Sequence, residues 1–403
     1  MHEYPFDSLA KLLRDSPPSA DLETISLAIG EPQHPPPPKV LECLRDSLSE
    51  LSRYPTTMGL ETLRAAISAW LAKRFSLRRP PDPEREILPL AGTREGLFSF
   101  IQAMVDSGSV PSPVVAMPNP GYQIYEGGAL LAGAEPWYLD LRADCGFLPD
   151  LEAVPAAVWR RCQLLVLCSP GNPTGAVADL DLLQRAITLA HEHDFIIASD
   201  ECYSEIYLDE ASPPAGILQA AERLGVDAFE RCVVFHSLSK RSNLPGLRSG
   251  FAAGDASLLH AYRRYRTYHG CALPIPTQLA SVVAWSDEVH VRENRERYRE
   301  KFALAATHLE GHLDAPTPAA SFYLWARPPT DDEHFAREAW RAQALKLLPG
   351  RYLARTGPHG DNPGVGFVRL SLVADAQRTR DALRRLQRLS DTLDARPAPS
   401  RGP

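Results

Sequence analysis

The sequence predicts an α/β fold with a large domain, built on a mostly parallel central sheet, and a smaller α+β domain. Short apolar runs alternate with helical patterns through the middle of the chain, and this alternation ends near residue 286. Strands that alternate with helices are typical of a parallel sheet covered by helices. The chain has 403 residues, of which 44% are hydrophobic, and this is enough for two or three domains with a large core.

The elements are predicted in order along the chain. Apolar residues recur with helical spacing over 60–71 and 97–105, on either side of a strand at 87–90. Four further apolar runs predict buried strands, at 114–117, 164–168, 195–199 and 232–236. Proline clusters at 35–38 and 80–83 are predicted connectors.

The pattern changes in the last third of the chain. A long charged helix over 288–308 is followed by strands over 322–326 and 367–373 and by a final helix through Leu393. We therefore expect an N-terminal arm (1–39) that joins the small domain, a large domain (40–285) and a small C-terminal domain (286–403). The tail over 396–403 is predicted to be disordered.

Composition narrows the class of protein. The net charge is −7 with both signs interleaved, which argues against a nucleic-acid partner. No apolar run reaches the ~18 residues of a membrane span, and the N-terminus lacks a signal-peptide pattern. The seven cysteines have no paired spacing, which argues against a disulfide framework or a metal site. We expect a cytoplasmic protein without a metal, nucleic-acid or membrane partner.

The segment 235–250 carries the sharpest chemical pattern. Ser237, Ser239 and Arg248 can converge on a phosphate, the hydroxyls as donors and the guanidinium as a clamp. Lys240 beside them could form a Schiff base with an aldehyde cofactor, or could simply be a surface lysine. The spacing from Ser237 to Lys240 also matches penicillin-recognising acyl enzymes, but their S-D-N and K-T-G strings are absent.

Polar residues follow other predicted strands. Asn172, Asp200 and Lys240 all fall at strand ends, where open α/β sheets bind ligands. Taken alone, the Pro- and Gly-rich string around Asn172 could be only a tight loop. Thr93 and Arg94 open a helix whose N-terminus can bind phosphate. The sequence has no P-loop, no G-x-G-x-x-G after a strand and no G-x-S-x-G elbow.

Together these motifs resemble those of the class I/II aminotransferases, pyridoxal-phosphate enzymes of fold type I. The resemblance spans roughly residues 5–390 and rests on Ser-Pro-Gly-Asn-Pro-Thr-Gly at 169–175, Asp200-x-x-Tyr203, and Ser-x-Ser-Lys followed by Gly-Leu-Arg. It implies that residues 40–285 bind the cofactor pyridoxal phosphate, that the substrates are amino and keto acids, and that two subunits form a homodimer with a shared active site.

The resemblance also implies roles for individual residues. Lys240, Asp200 and Tyr203 match catalytic residues: the cofactor-binding lysine, the partner of the pyridine nitrogen, and the tyrosine that joins Asn172 on the phenolic oxygen. Tyr122 is similar to the aromatic residue that stacks on the ring. The set that matches phosphate binding is Thr93, Arg94, Ser237, Ser239 and Arg248, with Tyr54 reaching the neighbouring subunit's phosphate. Substrate is expected to contact Gly30, Asn172 and, through its α-carboxylate, Arg369.

Within the family, the segments 199–207, 237–251 and 265–271 are similar to proteobacterial N-succinyl-LL-diaminopimelate aminotransferases, although Gly121 stands where that group commonly has an aromatic residue. The implied reaction aminates N-succinyl-2-amino-6-oxopimelate from glutamate, in diaminopimelate and lysine biosynthesis. The distal carboxylates would need further partners, for which the candidates are Arg241, Ser242, Asn243 and Arg266. The alternatives on the same scaffold are an aspartate, alanine or aromatic aminotransferase and a β-elimination lyase.

Overall fold

The computed structural model describes residues 2–357 and 360–394, so the predicted disordered tail lies outside the described residues. The helices in this part of the chain are α1 (Pro5–Leu13), α2 (Pro38–Asp46), α3 (Glu61–Arg74), α4 (Thr93–Met104), α5 (Ile124–Leu131), α6 (Ala156–Trp159), α7 (Leu180–His193), α8 (Ile217–Leu224), α9 (Leu238–Arg241), α10 (Ala256–His269), α11 (Ile275–Ser286), α12 (Val289–Leu309), α13 (Asp332–Gln343) and α14 (Ala376–Asp394). The strands are β1 (Ile25–Ser26), β2 (Ile87–Leu90), β3 (Val114–Asn119), β4 (Glu135–Asp140), β5 (Cys162–Cys168), β6 (Ile196–Asp200), β7 (Cys232–Ser237), β8 (Gly250–Gly254), β9 (Tyr323–Ala326), β10 (Leu345–Lys346), β11 (Leu348–Pro349) and β12 (Val368–Ser371).

Seven strands form the central sheet, in the order β2-β8-β7-β6-β5-β3-β4. The pairs among β3 to β7 are parallel, and only β8 runs antiparallel to its neighbours β2 and β7. This confirms the predicted mostly parallel sheet. From β3 the chain adds β4 on one side and β5 to β7 on the other, so the strand order reverses beside β3 and opens a crevice at the carboxyl ends.

Both faces of this sheet are buried, which explains why its strands are almost wholly apolar. Side chains alternate between two cores: Val114 and Ala116 pack on one face, and Val115 and Met117 pack on the other. Helices α3, α7, α8 and α11 cover the first face, and α4, α5 and α10 cover the second. The helical spacing read from the sequence over 60–71 therefore corresponds to the buried side of α3.

The predicted strands are all present, with bounds that differ by a few residues. The difference that matters for the site is at β6, where Asp200 is the last residue of the strand and pairs with Cys168 and Phe235. The backbone of Asp200 is therefore held by the sheet itself.

The last third of the chain builds a second, antiparallel sheet in the order β11-β12-β9. Helices α12, α13 and α14 share a separate core with it, around Phe302, Leu324, Leu370 and Leu386. Strand β1 near the N-terminus pairs in parallel with β10, so the N-terminal segment is hydrogen-bonded to the segment that follows α13. The division into 1–39, 40–285 and 286–403 stays a prediction. No helix in the described residues is long and apolar enough to cross a bilayer.

Candidate active site

A cavity of about 470 Å³ lies at the carboxyl ends of β5, β6 and β7. Twelve of the thirteen residues proposed from the sequence line it: Gly30, Thr93, Arg94, Tyr122, Asn172, Asp200, Tyr203, Ser237, Ser239, Lys240, Arg248 and Arg369. The thirteenth, Tyr54, lies outside the cavity with its side chain fully exposed. The fold thus gathers residues from 30 to 369 at one edge of the sheet, as the strand-end argument predicts.

Lys240 lies on α9, a single helical turn that directly follows β7. Ser237 caps this turn by accepting a hydrogen bond from the backbone N–H of Ser239 at 3.1 Å. The Lys240 amine donates to the carbonyl oxygen of Gly30 at 2.6 Å and lies 5.3 Å from the centre of the Phe322 ring. Burial lowers the pKa of Lys240 to about 8, which raises the share of neutral, nucleophilic amine near neutral pH.

Asp200 is buried at the floor of the cavity. Its carboxylate accepts two hydrogen bonds, from the Tyr125 hydroxyl to Oδ2 at 2.6 Å and from the Cys202 backbone N–H to Oδ1 at 3.2 Å. Burial raises the pKa of Asp200, and these two hydrogen bonds oppose that rise. No cation among the described residues forms an ion pair with Asp200, so the carboxylate is set to accept a proton-bearing group from a ligand.

Tyr125 is absent from the sequence-derived set of site residues. It lies in the first turn of α5, three residues after Tyr122, and lines the cavity. The sequence offers a weak signal, because two tyrosines three apart at the start of a helix share one face. That Tyr125 meets Asp200 could be seen only from the packing of α5 against the sheet.

Arg369, on β12, reaches the cavity from the second sheet. Its guanidinium donates to Asn172 Oδ1 at 2.9 Å and to the carbonyl oxygen of Ala28 at 2.6 Å, while its buried Nε has no partner. It lies 4.5 Å from the ring centre of Tyr323, whose hydroxyl is 3.0 Å from that of Tyr203. The arrangement leaves a guanidinium edge available for a carboxylate.

The start of α4 forms a concave anion seat with the β7–α9 turn. The Ser237 hydroxyl donates to that of Ser239 at 2.9 Å, and Arg248 faces the same cavity. Gly92, directly before α4, has φ of +89°, and a Cβ there would lie 2.1 Å from Arg248 Nη2. Glycine is therefore favoured at this position by its conformation, and a Cβ there would displace the end of the Arg248 side chain.

The N-terminal residues Tyr4 and Phe6 also line the cavity, although the sequence analysis did not propose them. Arg94 donates through Nε to the Tyr122 hydroxyl at 2.5 Å. Burial raises the pKa of Tyr122 to about 12, and both Tyr122 and Arg94 lie close enough to Tyr4 to interact with it electrostatically. These three residues form one edge of the cavity, and no local pattern in the sequence connects Tyr4 to them.

The prediction of partners for the distal carboxylates is wrong. None of the four, Arg241, Ser242, Asn243 and Arg266, lines the cavity. Arg241 and Arg266 are each 1% exposed and form ion pairs with Glu288 and Glu95, respectively. The other two hydrogen-bond to α12. Closeness in sequence to the site residues does not decide where a side chain points, and these four side chains are directed into the protein, where each already has polar partners.

The cavity residues fit pyridoxal phosphate. Asp200 is a buried carboxylate without a cation partner, as expected for a residue that meets a protonated ring nitrogen. The anion seat around Gly92 and Arg248 is open for a phosphate, and a side chain at Gly92 would close it. Lys240 presents its amine between these two groups, in the same cavity.

Comparison with known proteins agrees with this geometry. The family model for aminotransferase class I and II matches residues 23–386. An LL-diaminopimelate aminotransferase of Desulforudis audaxviator is 33% identical over 391 residues, covering 95% of this chain and 94% of the relative. A crystal structure of an aminotransferase from Neisseria meningitidis has a TM-score of 0.92 and 46% identity, covering 96% of this chain and 98% of that chain.

A probable N-succinyldiaminopimelate aminotransferase from Thermus thermophilus has a TM-score of 0.84 at 30% identity, covering 96% of this chain and all of that one. Sequence, fold and site geometry therefore lead to the same assignment. The chain belongs to the class I and II aminotransferases and is a pyridoxal-phosphate-dependent enzyme that acts on amino and keto acids.

Proposed function

We propose that this enzyme transfers an amino group between glutamate and the 6-oxo group of N-succinyl-2-amino-6-oxopimelate, a step of diaminopimelate and lysine biosynthesis. The observation that carries the proposal is the charge of the cavity. Three arginines line it, Arg94, Arg248 and Arg369, and none of them forms an ion pair with a described carboxylate. Besides Asp200, Glu31 is the only carboxylate among the described lining residues. Because Arg94 and Arg248 are assigned below to the cofactor phosphate and Arg369 to the α-carboxylate, what the charge of this cavity disfavours is a distal ammonium on the substrate.

The names of the similar proteins support the diaminopimelate part of the proposal. Relatives that are 30% to 34% identical are named LL-diaminopimelate aminotransferases, and the Thermus structure is named for the N-succinyl form. Succinylation replaces the distal ammonium by a neutral amide and adds a carboxylate. The scarcity of carboxylates in the cavity, with Glu31 as the one described lining carboxylate besides Asp200, is the reason to prefer the form without a distal ammonium here.

We assign the chemistry to a small set of side chains. When bound, pyridoxal phosphate supplies an electron sink that stabilises negative charge at the substrate Cα. Asp200 would keep the ring nitrogen protonated. The neutral amine of Lys240 would take the proton from Cα and deliver it again, as general base and then acid, and its lowered pKa of about 8 suits that exchange.

The remaining residues would hold and orient the ligands. Arg369 would bind the α-carboxylate, with Gly30 and Asn172 beside it, since its unpartnered Nε offers a donor for a bidentate contact. Tyr122 would stack on the ring, and Tyr203 would donate to the phenolic oxygen. The phosphate would be bound by the residues of the anion seat: Thr93, Arg94, Ser237, Ser239 and Arg248.

We further propose a homodimer in which Tyr54 reaches the other subunit's phosphate. Tyr54 is fully exposed, and Leu48 and Leu51 in the same segment are 52% and 64% exposed. Exposed apolar side chains clustered in sequence favour a contact with another chain.

The proposed domain division, with the arm 1–39 joining 286–403, has support from the pairing of β1 with β10. All seven cysteines are free, which is typical of a cytoplasmic protein.

A half-reaction titration tests the substrate. Glutamate, N-succinyl-LL-diaminopimelate, LL-diaminopimelate, aspartate, alanine and tyrosine are added singly to the holoenzyme, and the change in cofactor absorbance is followed. A response to the first two, with little response to the others, is the expected result. A preference for aspartate, alanine or tyrosine, or release of pyruvate from an amino acid with a β-leaving group, would replace the proposal with one of the alternatives. Lys240→Ala is the control without turnover.

A second candidate is free LL-diaminopimelate. The names of the relatives favour it, and Glu31 could bind its distal ammonium. Glu31→Gln separates the two substrates, because loss of that carboxylate should lower kcat/KM only for a substrate with a distal ammonium. If LL-diaminopimelate is the better substrate and Glu31→Gln impairs it selectively, the succinyl proposal is wrong.

A further inference from the structure

A series of buried hydrogen bonds links α12 to the backbone of Lys240, and the mechanism above does not use it. It begins at Lys301, which is 1% exposed. The Lys301 amine lies 2.9 Å from His34 Nε2 and donates to the carbonyl oxygen of Ala374 at 3.0 Å. It forms no ion pair with a carboxylate among the described residues. A buried lysine without a counter-charge costs stability, so its retention calls for a reason.

The donors and acceptors in this series of hydrogen bonds decide which atom donates at each step. A lysine ammonium can only donate, so with Lys301 charged His34 Nε2 is the acceptor and Nδ1 carries the proton. His34 Nδ1 lies 2.9 Å from Asn294 Oδ1 and can donate to it. Asn243 donates to the same oxygen at 3.0 Å. The amide of Asn294 is therefore held with its oxygen toward His34 and its NH₂ group on the opposite side.

That NH₂ group faces the turn that carries Lys240. Asn294 Nδ2 donates to the carbonyl oxygens of Lys240 at 3.2 Å and Arg241 at 3.3 Å. The carbonyls at the end of a helix have no partner within the helix, and α9 is only four residues long. Asn294 thus anchors the backbone of α9, while Gly30 on the arm that carries His34 accepts from the Lys240 amine.

The pKa values of His34 and Lys301 agree with these donor and acceptor roles. Burial lowers the pKa of His34 to about 4, so the ring is neutral and can accept at Nε2. Burial also lowers the pKa of Lys301 to about 7, opposed by Asp375 and Glu300 and reinforced by Arg297. A neutral amine still has two N–H groups, so Lys301 can donate to both of its partners in either protonation state.

We propose that Lys301 and His34 are positioning residues for Lys240: they fix the orientation of the Asn294 amide that holds the Lys240 carbonyl. Loss of His34 leaves Asn243 as the one remaining donor to the amide oxygen, and loss of Lys301 removes the group that fixes which His34 nitrogen carries the proton, so either change loosens the orientation of the amide. The backbone of α9 then loses its anchor, and the Lys240 amine moves relative to its target. The proposal rests on the role of Lys240 proposed above.

The test compares variants of Lys301 and His34 with a control variant on α12, the helix that carries Lys301. Lys301→Met removes the donor at similar length, and His34→Phe keeps the ring packing against Tyr298, whose centre is 4.8 Å away. The matched control is Arg295→Met, which breaks the ion pair of the buried Arg295 side chain on α12 with the exposed Glu210, at 2.7 Å, and removes none of the hydrogen bonds that lead to Lys240. Glutamate half-reaction rates are measured on the holoenzymes, and amide exchange over residues 238–243 is measured on the apo-proteins.

We expect kcat to fall roughly 10- to 100-fold in Lys301→Met and His34→Phe, the scale of a small misplacement of a reacting group, with little change in KM. Amide exchange over 238–243 should rise in both, and Arg295→Met should show neither effect. Unchanged exchange in the two variants overturns the positioning proposal. Raised exchange with unchanged kcat overturns the role proposed for Lys240 instead. A neutron structure of the unaltered protein needs no variant, and a proton on Nε2 of His34 in place of Nδ1 would also overturn the positioning proposal.

Discussion

Tyr125 and Asp200 are joined by a 2.6 Å hydrogen bond from phenol to carboxylate, with both side chains buried. The two residues are 75 positions apart, on α5 and β6. The bond fixes Oδ2 of Asp200 and favours its ionised form, against a burial that raises its pKa. The Tyr125 hydroxyl and the Cys202 backbone N–H thus both favour the charged form of the carboxylate at the floor of the cavity.

Tyr125→Phe should therefore weaken the enzyme without unfolding it. Removing a hydrogen bond to a buried charged group costs about 1.5–3 kcal/mol, and without it the pKa of Asp200 rises further. We expect a roughly 10- to 100-fold lower half-reaction rate, which is that energy expressed as a rate. Tyr262→Phe is the control, since its buried hydroxyl donates to the Gly96 carbonyl at 2.7 Å outside the cavity. Equal half-reaction rates in the two variants would show that the hydrogen bond to Asp200 does not contribute to catalysis.

Arg369→Ala should weaken amino-acid binding by about 2–5 kcal/mol, the cost of leaving a buried carboxylate unpaired. The effect should be seen as a higher KM for glutamate, with cofactor affinity retained. The control is Arg385→Ala on α14, another buried arginine, which hydrogen-bonds to the Glu23 carbonyl at 2.7 Å. An unchanged KM for glutamate in Arg369→Ala would contradict the role assigned to this arginine.

Gly92→Ala should lower cofactor affinity. The new Cβ would lie 2.1 Å from Arg248 Nη2, so the guanidinium must leave the anion seat. Gly225→Ala is the control, because Gly225 also has positive φ (+81°) but has nothing within 4 Å of a built Cβ. Both variants should lose stability through backbone strain, of order 1–3 kcal/mol. Equilibrium titration of the apo-proteins with pyridoxal phosphate should show weaker binding for Gly92→Ala alone. Equal affinity of the two variants for pyridoxal phosphate would contradict the assignment of the anion seat to the cofactor phosphate.

Two buried basic groups make stability depend on pH. Both Lys301 and His34 have a lower pKa in the folded protein, about 7 and about 4, than in the unfolded chain. The unfolded chain therefore binds more protons between pH 7 and ~10.4 for lysine and between pH 4 and ~6.5 for histidine. The free energy of unfolding should rise with pH through both windows, by at most ~1.4 kcal/mol per pH unit for each group.

Chemical denaturation of wild type and Lys301→Met across this range measures the effect. Their difference in unfolding free energy should change with pH above 7, and also between pH 4 and ~6.5, because the charge of Lys301 helps to lower the pKa of His34. A constant difference across the whole range would mean that the pKa of Lys301 is not lowered by folding.

The sequence predicted the parallel sheet because its buried strands leave a local signal. Runs such as 164–168 and 232–236 are apolar on both faces and end at polar residues, so their carboxyl ends could be recognised one strand at a time. The Lys240 and Asn172 motifs are equally local, since each lies on one tight turn. The family resemblance rested on these segments and is confirmed.

The remaining features depended on which elements pack together. Arg241 stands beside Lys240 in sequence, yet its side chain points the other way, to Glu288, and this was invisible to spacing alone. The contact of Tyr125 with Asp200 and the chain from Lys301 through His34 to Asn294 join residues separated by 75 to 267 positions. The local sequence determines whether a segment forms a buried strand or a tight turn. Only the close packing of distant elements decides which buried polar groups meet, because each must find its partner inside the folded protein.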